Sequence, residues 1–176
     1  YIFQTLLGNL GVDRGLAHQV ANHLANTGYK FTDINQLEGF NGFNPALLQR
    51  LRPLLTALPS RTAINVNTAS SDVLRAVFQG MNASQAANFV TARTQKPIKS
   101  LADLKTLLTS LGVNAANDSP LVDIKTSYFI TRTEVRYPES VYVGESIIQR
   151  TPPGGISVNR TLTSTINTRF FSTLKE

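Results

Sequence analysis

The chain offers few side chains able to carry a reaction. Its two histidines, His18 and His23, stand five apart, whereas a helix lays two imidazoles over one metal ion at i and i+4. A solvated or capping role is the expectation for each. The carboxylates are scattered, and Glu134, Glu139 and Glu145 fall near turns, where a solvated strand edge is their default place. Neither a Gly-x-Ser-x-Gly elbow nor a phosphate-cradling glycine loop occurs. The absence of cysteine excludes a disulfide scaffold, a thiolate zinc site and a cysteine nucleophile. Asn82-Ala83-Ser84, Asn117-Asp118-Ser119 and Asn159-Arg160-Thr161 fit the glycosylation triplet, a pattern common by chance in a chain rich in Asn, Ser and Thr. A catalytic centre needs a nucleophile or base with an orienting partner, and no such pair is found. The expectation is a protein that is not an enzyme and needs no cofactor.

Charge invites a second reading, nucleic-acid binding, because the chain of 176 residues carries a formal +6. The excess is spread as +1, +3 and +2 over residues 1–60, 61–120 and 121–176. A basic run of the kind that marks an electrostatic footprint is missing, and a mildly basic solvated surface is expected. Charged residues make up 16%, below the roughly 25% of ordinary domains. No stretch reaches the 18 or so apolar residues that a membrane span requires. Tyr1 cannot start a natural translation product, so the chain is expected to begin inside a longer one.

The elements that would position any site come in two kinds, with the change near residue 115. From Arg14 to Thr27, Ala17, Val20, Ala21 and Leu24 recur on one helical face, and Gly28 ends the helix. Asp33 is an N-cap with Gln36 in capping-box spacing and Leu37 following. Asn44-Pro45 starts a helix carrying Leu47, Leu48, Leu51, Leu54 and Leu55, in which Pro53 predicts a kink or an early end. Between residues 64 and 112, Val73, Leu74 and Val77 mark a first short helix. Ala86, Ala87, Phe89 and Val90 mark a second, ended by Pro97. Ser100 caps a third with Leu101, Leu104, Leu107 and Leu108 facing inward and Gly112 closing it. Two short helices joined by a Gly-containing hairpin and followed by a third make a helix-hairpin-helix-like unit.

Gly11 to Leu37 echoes Gly80 to Leu104 in order and spacing, with a slip of two residues. Duplicated helical units and the chance likeness of two amphipathic pairs both remain open. Beyond Asn117, Tyr128 to Tyr137 and Val141 to Arg150 read as paired strands around Pro138-Glu139-Ser140. Ile156, Val158, Leu162, Ile166 and Phe170 share a parity that predicts a half-buried strand, or a hairpin broken near Arg160 to Thr163, and Pro152 to Gly155 a turn. Three or four antiparallel strands after five or six helices define an α+β chain, with a helical part at 1–116 and a strand part at 117–176.

One motif stands out. Ile64, Asn65, Val66, Asn67, Thr68 and Ala69, preceded by Leu58-Pro59 and followed by a helix and a hairpin, closely resemble the type II secretion system protein K family, the large minor pseudopilins. The likeness extends upstream through Asp33 to Phe40 and Leu51 to Pro59. Downstream, Ser127-Tyr128-Phe129-Ile130-Thr131 is similar to the family's S-x-Y-F strand, so nearly the whole chain is covered. Periplasmic DNA-uptake proteins of the helix-hairpin-helix type share the hexapeptide, and the flanking blocks are what favour protein K. From the residues themselves, Ile64 and Val66 are expected to anchor an extended lead-in. Asn65, Asn67 and Thr68 are expected to offer side chains to the orphan N–H groups of a helix beginning near Ala69.

The resemblance implies a pseudopilin-like antiparallel β-sheet bearing an inserted, mostly helical domain, with an N-terminal hydrophobic helix that is missing from this chain. It implies a subunit at the tip of the pseudopilus, in the periplasm of a Gram-negative bacterium and anchored in the inner membrane by that helix. Its implied partners are the I-type and J-type minor pseudopilins, with the secreted substrate or the outer-membrane secretin as further contacts. Its implied work is to start pseudopilus assembly for protein export. Two features depart from the family. Val20 to Asn26 lacks the carboxylates of the family's calcium-associated stretch, and Asp13, Asp33 and Glu38 form no recognisable cluster, so no tight calcium site is expected. The hairpin turn reads Gly80-Met81-Asn82 where DNA-binding versions have Gly-hydrophobic-Gly, and Asn82 is expected to adopt the left-handed conformation if the turn is kept. The alternative function is a DNA-binding module using N–H groups near Gly80, with Arg93, Lys96 and Lys99 on phosphates.

Overall fold

The first turn of a helix leaves N–H groups that need acceptors, and N-cap side-chain oxygens supply them at every helix from the third onward among the described residues. A computed structural model describes residues 1–114, 121–137, 140–150 and 162–174. Helices α1 (Ile2–Asn9) and α2 (Gly15–Thr27) are followed by a 3-10 helix (Ile34–Gly39) and α3 (Pro45–Leu51). Asp33 Oδ1 accepts from Asn35 N at 2.7 Å, and Gln36 Oε1 accepts from Asp33 N at 3.1 Å, completing a capping box. Asn44 Oδ1 accepts from Leu47 N at 2.9 Å, with Pro45 in the first turn. Such caps each contribute about 1 kcal/mol. Helix α3 ends at Leu51, two residues before Pro53, so the early end is what the proline produces.

Next come β1 (Ile64–Asn65), α4 (Ser71–Val77), α5 (Ala83–Gln95), α6 (Leu101–Ser110) and β2 (Val122–Asp123). β1 and β2 pair in parallel, Ile64 with Val122 and Asn65 with Asp123. Two cores result. Leu7, Leu16, Val20, Leu37, Leu48 and Leu51 build the first, and Val66, Leu74, Phe78, Phe89, Leu104 and Leu108 are central to the second. Helix α1 joins them, with Leu7 in the first core and Ile2 packed against the second. It lies against both α2 and α4. Three inward expectations are corrected: Ala21, Ala87 and Leu101 are exposed. On α2 the buried stripe turns toward Leu16, Ala17 and Val20, because a leucine removes more apolar area from water than an alanine does.

β3 (Tyr128–Arg136), β4 (Ser140–Arg150) and β5 (Leu162–Leu174) form an antiparallel sheet in that order. Residues 1–125 and 126–176 are two compact units. The change of sequence character near 116 precedes this division because β2, beyond it, pairs back with β1. Among the described residues no helix is long and apolar enough to cross a membrane. The expected turn at Pro152 to Gly155, Ile156 and Val158, Glu139, and the triplets at Asn117 and Asn159 lie outside the described residues.

Candidate functional site

The hexapeptide is a junction built from backbone-like hydrogen bonds. Asn65 Oδ1 accepts from Asn67 N at 2.9 Å, and Asn65 O accepts from Thr68 N at 3.2 Å and Ala69 N at 3.0 Å. These bonds fold the chain sharply after β1, as Asn side chains do in Asx turns. Val66 is fully buried, and its N–H donates to Asp123 O at 2.9 Å. Its carbonyl accepts from Arg93 Nη1. Asn67 reaches across to the segment between α5 and α6: Nδ2 donates to Ile98 O at 2.8 Å, and Oδ1 accepts from Ile98 N at 2.9 Å. The expectation that Asn65, Asn67 and Thr68 serve the following helix is corrected. Helix α4 begins at Ser71, and Ser70 Oγ accepts from Val73 N at 3.3 Å. The asparagines instead close the Asx turn and the link to Ile98, and the nearest hydroxyl takes the cap.

The hairpin between α4 and α5 is equally self-contained. Met81 N donates to Phe78 O at 3.1 Å, and Gly80 has φ +82°. Asn82 is extended, at φ −84° and ψ 173°, so the left-handed residue is Gly80 and not Asn82. The physical reason is the cap that Asn82 supplies: its Oδ1 accepts from Gln85 N at 2.9 Å, while its own N–H donates to Gln85 Oε1 at 2.8 Å. Gln85 Nε2 also donates to Leu111 O at 2.8 Å, tying the hairpin to the end of α6. The N–H groups of Met81 and Asn82 therefore already have internal acceptors.

The cations named for phosphate binding do not gather around this turn. Arg93 is part-buried against Val66, and desolvation pushes its pKa below the ordinary value. Lys96 and Lys99 are exposed and border a shallow pocket with Pro97, Asp103 and Leu107. Gly80 precedes the first turn of α5 and Lys96 follows its last. A helix of that length separates its ends by roughly 20 Å, so no single phosphate meets both.

Sequence reasoning missed how the arginines are used. Arg50 Nη2 donates to Leu10 O at 2.7 Å, Arg52 Nη2 to Asn35 Oδ1 at 2.6 Å, and Arg150 Nη2 to Thr126 O at 2.7 Å. The partners, two backbone carbonyls outside the helices and strands and one side-chain amide of the 3-10 helix, are distant in sequence, and no local pattern signals them. His18 Nε2 lies 3.0 Å from Gln4 Nε2, and His23 packs edge-on against Tyr29 and Phe40. Asp13 Oδ1 accepts from Gly15 N at 2.8 Å, and Asp33 caps the 3-10 helix. Among the described residues no three His, Cys, Asp or Glu side chains gather in a metal-holding group.

These features define a protein of mixed helix and sheet whose hexapeptide and hairpin are held by internal bonds. The family model described as "Type II secretion system (T2SS), protein K" matches residues 64–125, the span from the hexapeptide through β2. Type II secretion system protein K of Pseudomonas aeruginosa is 37% identical over 128 residues, covering 73% of this chain and 37% of that protein. The Dickeya chrysanthemi protein of the same name is 29% identical over 128 residues, covering 69% and 36%. The chain belongs to the type II secretion system protein K family. It spans just over a third of the length of the curated relatives it matches.

Proposed function

We propose that this chain is the helical domain and closing strands of a minor pseudopilin, acting at the tip of the type II secretion pseudopilus. The reading is carried by the family match across the hexapeptide and hairpin. In this reading β3, β4 and β5 belong to a pseudopilin-type sheet, and residues 1–125, which carry β2 back to β1, to the domain inserted into it. The protein is periplasmic, held to the inner membrane by a hydrophobic helix belonging to the rest of the polypeptide. It acts without chemistry, cofactor or calcium, through docking with I-type and J-type minor pseudopilins and, beyond them, with secreted substrate or the secretin. Its work is to start pseudopilus assembly and so support export across the outer membrane.

The internal bonding of the hairpin favours this over DNA uptake. A phosphate-binding turn needs outward N–H donors, and Met81 and Asn82 direct theirs to Phe78 and Gln85. The direct test is copurification of the complete protein with the two smaller minor pseudopilins, alongside restoration of secretion in a strain lacking protein K. Loss of both would remove the proposal.

A further inference from the structure

Of the asparagines in the sequence, Asn41 alone is followed by glycine. Phe40, Asn41, Gly42 and Phe43 form a turn closed by the bond from Phe43 N to Phe40 O at 3.1 Å, and Gly42 takes φ +102°. Asn41 and Gly42 are exposed, whereas Phe43 is buried. The peptide unit between Asn41 and Gly42 lies at the centre of the turn, outside its closing bond. Among the described residues the Gly42 N–H meets no acceptor and the Asn41 side chain has no partner. The amides of Asn44, Asn67 and Asn82, by contrast, are committed to a cap, to Ile98 and to a cap.

These features suit a reaction between neighbours in the chain. When the Gly42 N–H gives its proton to a base in solvent, the nitrogen can attack Asn41 Cγ. The new N–Cγ bond closes a succinimide ring, and the bond from Cγ to Nδ2 breaks, releasing ammonia. Water then opens the ring at either carbonyl. Opening at Cγ gives aspartate, and opening at the main-chain carbonyl leaves the chain running through Cγ, which is isoaspartate. Glycine carries no Cβ to obstruct the ring, and its backbone freedom lets the turn close on it. The reacting atoms belong to consecutive residues, so the step is decided within the turn and not by what else the polypeptide contains. Its consequence reaches the first core. A Cβ on Gly42 would lie 2.6 Å from Leu16 Cδ2, so Gly42 already sits against a buried side chain. Phe43 stacks on Phe3 with ring centroids 6.3 Å apart. Isoaspartate inserts an extra main-chain carbon at this point, and tightly packed surroundings transmit such strain.

We propose that Asn41 is a site of spontaneous modification in the folded protein, passing through a succinimide to aspartate and isoaspartate, and that the isoaspartate form loosens the first core. This does not rest on the secretion role. The test ages the folded chain at mildly alkaline pH and follows it by peptide mass mapping, with chromatographic separation of the isoaspartyl peptide. A gain of one dalton is expected at Asn41 before any other asparagine. Reaction confined to unfolded molecules would be slower than in urea by the folding ratio, roughly a thousandfold or more. Reaction in the folded turn should stay within about tenfold of the rate in urea. Asn41→Gln should abolish the change at this position while keeping an amide there. The isoaspartate form should unfold at a lower urea midpoint than Asn41→Asp, which carries the same charge without the extra main-chain carbon. A chain that deamidates first elsewhere, that reacts at Asn41 only once unfolded, or whose isoaspartate form is as stable as Asn41→Asp overturns the proposal.

Discussion

Asn67 and Ile98 are joined by two hydrogen bonds, 2.8 Å from Nδ2 to the carbonyl and 2.9 Å from the N–H to Oδ1. The side-chain amide thus acts as one more peptide unit, pairing with the buried Ile98 as a neighbouring strand would. Both groups of Ile98 lose their partners in Asn67→Ala. Leaving buried polar groups unpaired costs about 1–3 kcal/mol each before water or local movement compensates. The expected net loss is about 2–3 kcal/mol, read as a lower urea midpoint at unchanged slope. Asn67→Asp should lose at least as much, because it keeps the acceptor but turns a carboxylate toward the Ile98 carbonyl. A midpoint unmoved by either change would mean that the link contributes nothing to stability.

Two glycines separate backbone strain from steric clash. Gly80 has φ +82° with open space around a would-be Cβ, whereas Gly42 has φ +102° and a would-be Cβ 2.6 Å from Leu16 Cδ2. Gly80→Ala therefore meets only the left-handed backbone penalty, about 1–2 kcal/mol. Gly80→Asn should recover part of it, since Asn tolerates that region. Gly42→Ala meets a similar penalty and also displaces the buried Leu16, so its loss should be larger by about 1–3 kcal/mol. Thermal melts of the three variants rank the effects. Equal losses at the two positions would mean that Leu16 moves aside freely.

The amino-terminal helices were legible where their chemistry is local. Asn44, Ser100 and the Asp33–Gln36 pair sit within three residues of the N–H groups they serve. The left-handed Gly28 ends α2 by the same local logic. Helix α1 was not anticipated: Tyr1 supplies no side-chain cap, and its worth lies in Leu7 and Ile2 touching different cores. The parallel pairing of β1 with β2 was equally hidden, since two residues on each side carry no periodicity. For the hexapeptide the residue types were readable but their partners were not. Asn67 could serve the next helix or a distant backbone, and only the return of the chain at Ile98 decides between them.

Arg93 illustrates the same point and yields its own prediction. Its guanidinium is directed at the Val66 carbonyl and is desolvated there, yet arginine stays charged under all ordinary conditions. Arg93→Met keeps much of the stem packing but leaves that carbonyl without its donor, with an expected loss of about 1–3 kcal/mol. Arg93→Lys should fall between the two, because a flexible ammonium reaches the same oxygen with greater loss of rotamer freedom. Equilibrium urea unfolding distinguishes the three proteins. A methionine variant as stable as the parent would make the contact incidental.

The nucleic-acid reading can be weighed on the same side chain. Arg93 is occupied at Val66, and the exposed Lys96 and Lys99 share their pocket with Asp103. Of the three cations named for phosphate contact, none is then left both uncommitted and clear of a carboxylate, and the salt dependence of binding follows the number of phosphates neutralised. Duplex DNA should bind only weakly at low ionic strength and be released by moderate salt. Lys96→Ala or Lys99→Ala should lower that weak affinity by no more than a few fold, with Gly80→Asn having no effect. Fluorescence anisotropy with a labelled duplex at two salt concentrations makes the measurement. Sub-micromolar binding that survives physiological salt and drops on substitution of Gly80 or Lys96 would return the hairpin to a phosphate-binding role. It would also require the Asn82–Gln85 box to open on contact, because the N–H group of Asn82 is otherwise committed to Gln85.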